Sequence, residues 1–141
     1  MGTEVLASTA KKFGVPTKSN PLISIVDDDE SVREAIAGLV TWLGFRVQTF
    51  ESAVEFLQSP GLADTSCIIT DVQMPHMTGI ELHKRLTELG YAIPTIMITA
   101  YPNDAVRERV LADGTLCYLS KPFDNEALID CIRLALKPPA R

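Results

Sequence analysis

From residue 22 onward, apolar positions alternate between two patterns. Short runs rich in β-branched residues occur at 22–26, 46–50, 67–70, 95–99 and 116–119, and the segments between them repeat apolar residues every three or four positions. Repetition of this kind predicts β-α units around a parallel sheet. The first, third and fourth runs are almost continuously apolar, as strands buried on both faces are, and the second and last are mixed, as edge strands are. Between them, Val32, Ile36, Leu39, Val40 and Leu43 form one helical stripe, Leu82, Leu86 and Leu89 another, and Leu128, Cys131, Ile132 and Ala135 a third. Ser31-x-x-Glu34 and Ser52-x-x-Glu55 read as capping boxes at helix starts, and Gly44 and Gly90 read as helix stops.

A chain of 141 residues and 15.4 kDa suits one domain whose core needs no disulfide or structural metal. The alternating pattern places that domain at residues 21–136. Residues 1–20 carry no periodic pattern and are expected to be an extension. Residues 137–141 are expected to be a tail, because Pro138 cannot continue a helix. A net charge of −5 with scattered basic residues argues against direct nucleic-acid binding. No apolar stretch reaches the roughly 20 residues that span a bilayer, and the first twenty residues lack a signal-peptide core, so a cytoplasmic location is expected. Cys67, Cys117 and Cys131 form no CxxC pair and lie in apolar segments, which reads as reduced core cysteine.

Polar chemistry collects where the predicted strands end. The first run ends at Asp27-Asp28-Asp29, the third at Asp71, the fourth at Thr99 and the fifth at Ser120-Lys121-Pro122. Open parallel α/β sheets bind ligands outside the carboxyl ends of their strands, so these groups belong to one edge. Crowded carboxylates repel unless a cation neutralises them, and an all-oxygen set suits Mg²⁺ or Mn²⁺. The candidate ligands are Asp27, Asp28, Asp71 and the Gln73 backbone carbonyl, with Asp27 acting mainly through water. A carboxylate beside such an ion can attack a phosphoryl donor and become an acyl phosphate, and Asp71 is the best-placed nucleophile. Lys121, the Thr99 hydroxyl and the Ala100 amide are the candidate donors to the phosphoryl oxygens.

Val26-Asp27-Asp28-Asp29, Thr70-Asp71-Val72-Gln73-Met74-Pro75, Ile98-Thr99-Ala100 and Ser120-Lys121-Pro122-Phe123 occur in this order over residues 21–136. In that order and context the chain resembles a bacterial response regulator receiver domain. The resemblance implies a single three-layer, doubly wound α/β domain with a five-stranded parallel sheet in flavodoxin-like order 2-1-3-4-5. It implies that Asp71 accepts phosphate from a sensor histidine kinase, that Asp27 and Asp28 bind Mg²⁺, and that the Lys121–Pro122 peptide is cis. Thr99 takes the place of the switch threonine and Tyr118 that of the switch aromatic, whose ring is expected to swing inward when Thr99 moves toward the phosphoryl group. The implied output is protein contact, with a second copy or a downstream target, through the surface of the fourth helix, fifth strand and fifth helix. Such a chain is a phosphorylation-dependent switch and no enzyme toward other molecules. It could equally be the receiver of a DNA-binding transcriptional regulator.

Three other features bear on that reading. A haloacid-dehalogenase-type phosphatase also uses an aspartyl phosphate but wants an acid two residues after the nucleophile, where this chain has Gln73. Asp29 reads as a helix cap as readily as a metal contact, His76 and His83 read as solvated, and Trp42 reads as a packing residue. Asp113-Gly114-Thr115 before the last strand departs from the family's usual small residues around that glycine, and the bulk of Tyr101 and Pro102 after the threonine is expected to bear on water access to the phosphoryl site.

Overall fold

The computed structural model describes residues 20–137; residues 1–19 of the expected extension and 138–141 of the expected tail lie outside the described residues. Its strands are β1 (Leu22–Val26), β2 (Arg46–Phe50), β3 (Thr65–Asp71), β4 (Thr95–Thr99) and β5 (Cys117–Ser120). Its helices are α1 (Glu30–Trp42), α2 (Ala53–Leu57), α3 (Gly79–Glu88), α4 (Asp104–Ala112) and α5 (Asn125–Ala135), with a 3-10 turn at Leu62–Asp64 before β3. All strand pairs are parallel, in the order β2-β1-β3-β4-β5, as the alternating pattern and the resemblance implied.

Alternation along the strands builds two cores. Ile23 and Ile25 of β1, Cys67 and Ile69 of β3, and Ile96 and Ile98 of β4 face α1 and α5, where they meet Ile36, Val40, Leu128 and Ile132. Val26 and Ile68 face the other way, onto Ala53 and Phe56 of α2 and Leu82 and Leu86 of α3. Met97 and Tyr118 pack with Val72 beneath Val110 of α4. Ser24 is fully buried on the α2 side, where its hydroxyl accepts from Gln48 Nε2 at 2.9 Å and pairs with Thr65 Oγ1 at 2.7 Å. That network satisfies a polar side chain in a central strand.

Several expectations are corrected. Of the two residues read as caps of α1, Asp29 is the cap and Ser31 is not: the Asp29 carboxylate accepts from the Ser31 and Val32 amides and from the Ser31 hydroxyl, so Ser31 is already inside the first turn. The Ser52 cap forms, but Glu55 reaches back to the Glu51 amide, one residue beyond a capping box. The complete box is Thr78–Glu81 at α3, which periodicity did not flag. Trp42 is 78% exposed and Leu89 48%, each at the C-terminal end of its helix, where packing was expected. Cys117 and Cys131, expected to be reduced, are paired as a disulfide with a Cα–Cα distance of 6.4 Å. β5 and α5 bring them together on one side of the sheet, a proximity that their separation of 14 residues hides. Cys67 alone of the three is free, and burial pushes its thiol up to about 12.

Candidate functional site

The parallel sheet aligns the carboxyl ends of β1, β3, β4 and β5, and the site is assembled there. Val26 pairs with Thr70, Asp71 with Ile98 and Thr99 with Ser120, so the residues that end each strand fall at one level. Asp27, Asp28 and Asp71 each offer a carboxylate oxygen within 4.8 Å of the other two. Asp27 and Asp71 are buried and Asp28 is exposed. Asp27 is fixed further: its Oδ1 accepts from the Asp29 amide at 2.9 Å and its carbonyl accepts from Arg33 Nη1 at 2.7 Å.

Lys121 bridges the two buried acids. Its Nζ lies 3.1 Å from Asp27 Oδ2 and 3.5 Å from Asp71 Oδ1. The Lys121 amide donates to the Thr99 carbonyl at 2.7 Å, and the Lys121–Pro122 peptide is cis. Burial works against the ammonium charge, and the two carboxylates more than offset it, so the Lys121 pKa is raised. Asp71 is pushed up to about 6, first by burial and then by the Asp27 charge, with Lys121 opposing both. One cation among three carboxylates is too little to neutralise them, and the donor set is all oxygen. The residues present therefore fit a hard divalent cation held by Asp27, Asp28 and Asp71.

Thr99 is fully buried, and its hydroxyl is doubly engaged. It donates to Gln73 Oε1 at 2.7 Å and accepts from the Tyr101 amide at 2.9 Å. Tyr118 is buried, only 6% exposed. Its hydroxyl accepts from the Asn103 amide at 3.2 Å and its carbonyl accepts from Arg107 Nη1 at 3.0 Å. The N-terminal half of α4 thus holds Tyr118 at both its hydroxyl and its carbonyl. His76 is exposed in the loop after Asp71, with a positive φ of 70°, and His83 is half-buried between α3 and α4, where solvation was expected. Neither belongs to the acidic cluster.

A profile of the response regulator receiver domain matches residues 23–133. The chain belongs to this family. Receiver domains are the regulatory switches of two-component systems, and they generally bind Mg²⁺ at an acidic pocket of this kind. The response regulator protein TmoT of Ectopseudomonas mendocina is 40% identical over 116 residues, which are 82% of this chain and 53% of that protein. The transcriptional regulatory protein FixJ of Azorhizobium caulinodans is 35% identical over 114 residues, 81% of this chain and 54% of that protein. The receiver thus spans about half the length of the curated relatives it matches. Among solved structures, a response regulator receiver protein from Burkholderia phymatum superposes with a TM-score of 0.73 at 40% identity, covering 86% of this chain and 98% of that one. Response regulator StyR superposes with a TM-score of 0.77 at 38% identity, covering 84% and 60%. Among the described residues, no helix of the receiver is long and apolar enough to cross a membrane.

Four residues that hold this arrangement escaped the motifs. Arg33, Asn103 and Arg107 act through backbone contacts, and the Gln73 side chain reaches from the end of β3 to the end of β4. Gln73 stood out only through its carbonyl. Contacts between groups 26 residues apart leave no local signal.

Proposed function

We propose that the chain is the phosphoacceptor of a two-component pathway, phosphorylated on Asp71 by a sensor histidine kinase with Mg²⁺ or Mn²⁺. The observation that carries this reading is the Asp71 carboxylate, at the end of a central strand, set against two further acids and within 3.5 Å of the Lys121 ammonium. In the step, an Asp71 carboxylate oxygen attacks phosphorus, and the bond to the leaving nitrogen or oxygen of the donor breaks with its electron pair. The divalent ion, when bound by Asp27, Asp28, Asp71 and the Gln73 carbonyl, supplies positive charge to the phosphoryl oxygens. Lys121 offers its ammonium to the same oxygens, and Thr99 and the Ala100 amide offer hydrogen bonds. Asp27, held by the Asp29 amide, keeps Lys121 pointed at Asp71.

The output is protein contact on the face of α4, β5 and α5, with a second copy or a downstream protein. The relatives' names favour gene control as the purpose of the whole protein, because FixJ and TdiR of Thauera aromatica are transcriptional regulatory proteins of which this chain matches about half. Nucleic-acid binding is then the work of a region other than this acidic chain. The reading places the receiver in the cytoplasm, beside the catalytic part of its kinase.

Intact mass after incubation with acetyl phosphate and Mg²⁺ tests the chemistry. One phosphoryl group gained by the native protein, absent from Asp71→Asn and from the metal-free control, is the expected result. No gain by folded native protein would refute the assignment of Asp71.

A further inference from the structure

We propose that the Gln73 side chain is a positioning residue that latches Thr99 away from the phosphoryl group and so slows phosphorylation of Asp71. This rests on the phosphoacceptor reading of Asp71 and names a control on that same site. A threonine hydroxyl has one proton to donate. Here that proton goes to Gln73 Oε1 at 2.7 Å, while the oxygen accepts from the Tyr101 amide at 2.9 Å. Thr99 is fully buried, and no solvent competes for its hydroxyl. It can donate to a phosphoryl oxygen on Asp71 only after leaving Gln73.

Tyr118 is also buried, and its hydroxyl accepts from the Asn103 amide at 3.2 Å, in the same structure in which Thr99 is bonded to Gln73. In this chain the local change on phosphorylation is an exchange of one acceptor for another by the Thr99 hydroxyl. Gln73 lies on the segment leaving Asp71, so its main chain follows the nucleophile while its side chain restrains the donor. Gln73 as a residue is exposed, and replacing it leaves no cavity in the core.

The test uses Gln73→Met, which keeps the length of the side chain and removes the acceptor. Native protein, Gln73→Met, Thr99→Ala and the double variant are compared for the rate of phosphoryl gain from saturating acetyl phosphate, across a Mg²⁺ titration. A net hydrogen bond of ordinary strength corresponds to about a two- to tenfold effect, so Gln73→Met is expected to gain phosphate about two- to tenfold faster. The half-saturating Mg²⁺ concentration is expected to stay where it is, and the acceleration is expected to vanish in the Thr99→Ala background. A structural role for Gln73 alone would not produce that dependence on Thr99. Equal or slower rates for Gln73→Met, an acceleration that persists without Thr99, or a shift confined to the Mg²⁺ requirement would each overturn the latch while leaving Asp71 as phosphoacceptor. No phosphoryl gain by the native protein would overturn both.

Discussion

Gly79→Ala and Gly38→Ala are the same chemical change with opposite expected signs. Gly79 opens α3 directly beneath the end of β3, where its amide donates to the Val72 carbonyl at 2.9 Å. A methyl group added there would land on the Asp71 carbonyl oxygen, with the Asp71 carbonyl carbon and Thr70 Cγ2 each at 3.2 Å. The nearest obstacle is main chain and cannot rotate away, so α3 or the Asp71 segment must move. Overpacking of this kind costs about 1–3 kcal/mol, and a backbone obstacle puts it near about 3. The helix-propensity gain from alanine offsets less than about 1, leaving a net loss of roughly 2 kcal/mol. Gly38 is exposed in the interior of α1 with nothing near its added carbon, so there the propensity gain of about 0.5–1 kcal/mol stands alone. In urea, with a slope of about 1–3 kcal/mol per molar, Gly79→Ala should unfold roughly 1 M earlier and Gly38→Ala a few tenths of a molar later. Phosphoryl gain from acetyl phosphate should fall for Gly79→Ala, since the displaced atoms belong to Asp71. An unchanged midpoint for Gly79→Ala, or a loss of stability for Gly38→Ala, would refute this account of how α3 abuts the site.

Ser24→Ala should lower stability by about 1–2 kcal/mol in urea unfolding, since it removes the acceptor for Gln48 and the partner of Thr65 in a fully buried strand position; a neutral result would show that the network contributes nothing net. His83 has a lowered pKa because burial disfavours its charge, with Asp113 only partly opposing. Its neutral form therefore favours folding at pH values above the unfolded pKa of about 6.5, and that contribution is lost as pH falls through the folded value. The melting temperature of native protein relative to His83→Gln should accordingly fall as pH is lowered through the imidazole range, and parallel curves across the range would contradict the sign. Cys67, pushed up to about 12, should escape iodoacetamide at pH 8 in native protein and react only on unfolding, as read by intact mass. Rapid native labelling of Cys67 would show that the strand opens more freely than its burial implies.

The elements and their class were legible in the chain because both depend on local periodicity. Strands at 22–26, 46–50 and 95–99 coincide with the observed β1, β2 and β4, and β3 and β5 differ from their expected limits by no more than two residues. Burial on both faces makes central parallel strands read as continuous apolar runs. The acidic residues, threonine and lysine were legible for a related reason: a parallel sheet brings all its strand ends to one edge, so residues far apart in sequence could be placed together by counting strands. Tertiary structure decided whatever depends on distance between elements or on where a helix leaves the sheet. Leu89 fits its stripe by period and Trp42 reads as a packing residue, yet both are exposed at the ends of their helices, and Cys117 meets Cys131 only because β5 and α5 pack together. Asp29 and Ser31 both read as caps of α1, and the extended backbone at Asp29 selects it. The bond between Thr99 and Gln73 was hidden from the sequence, because periodicity reports which face a side chain occupies, whereas a hydrogen bond depends on ångström-scale placement that only the assembled fold supplies.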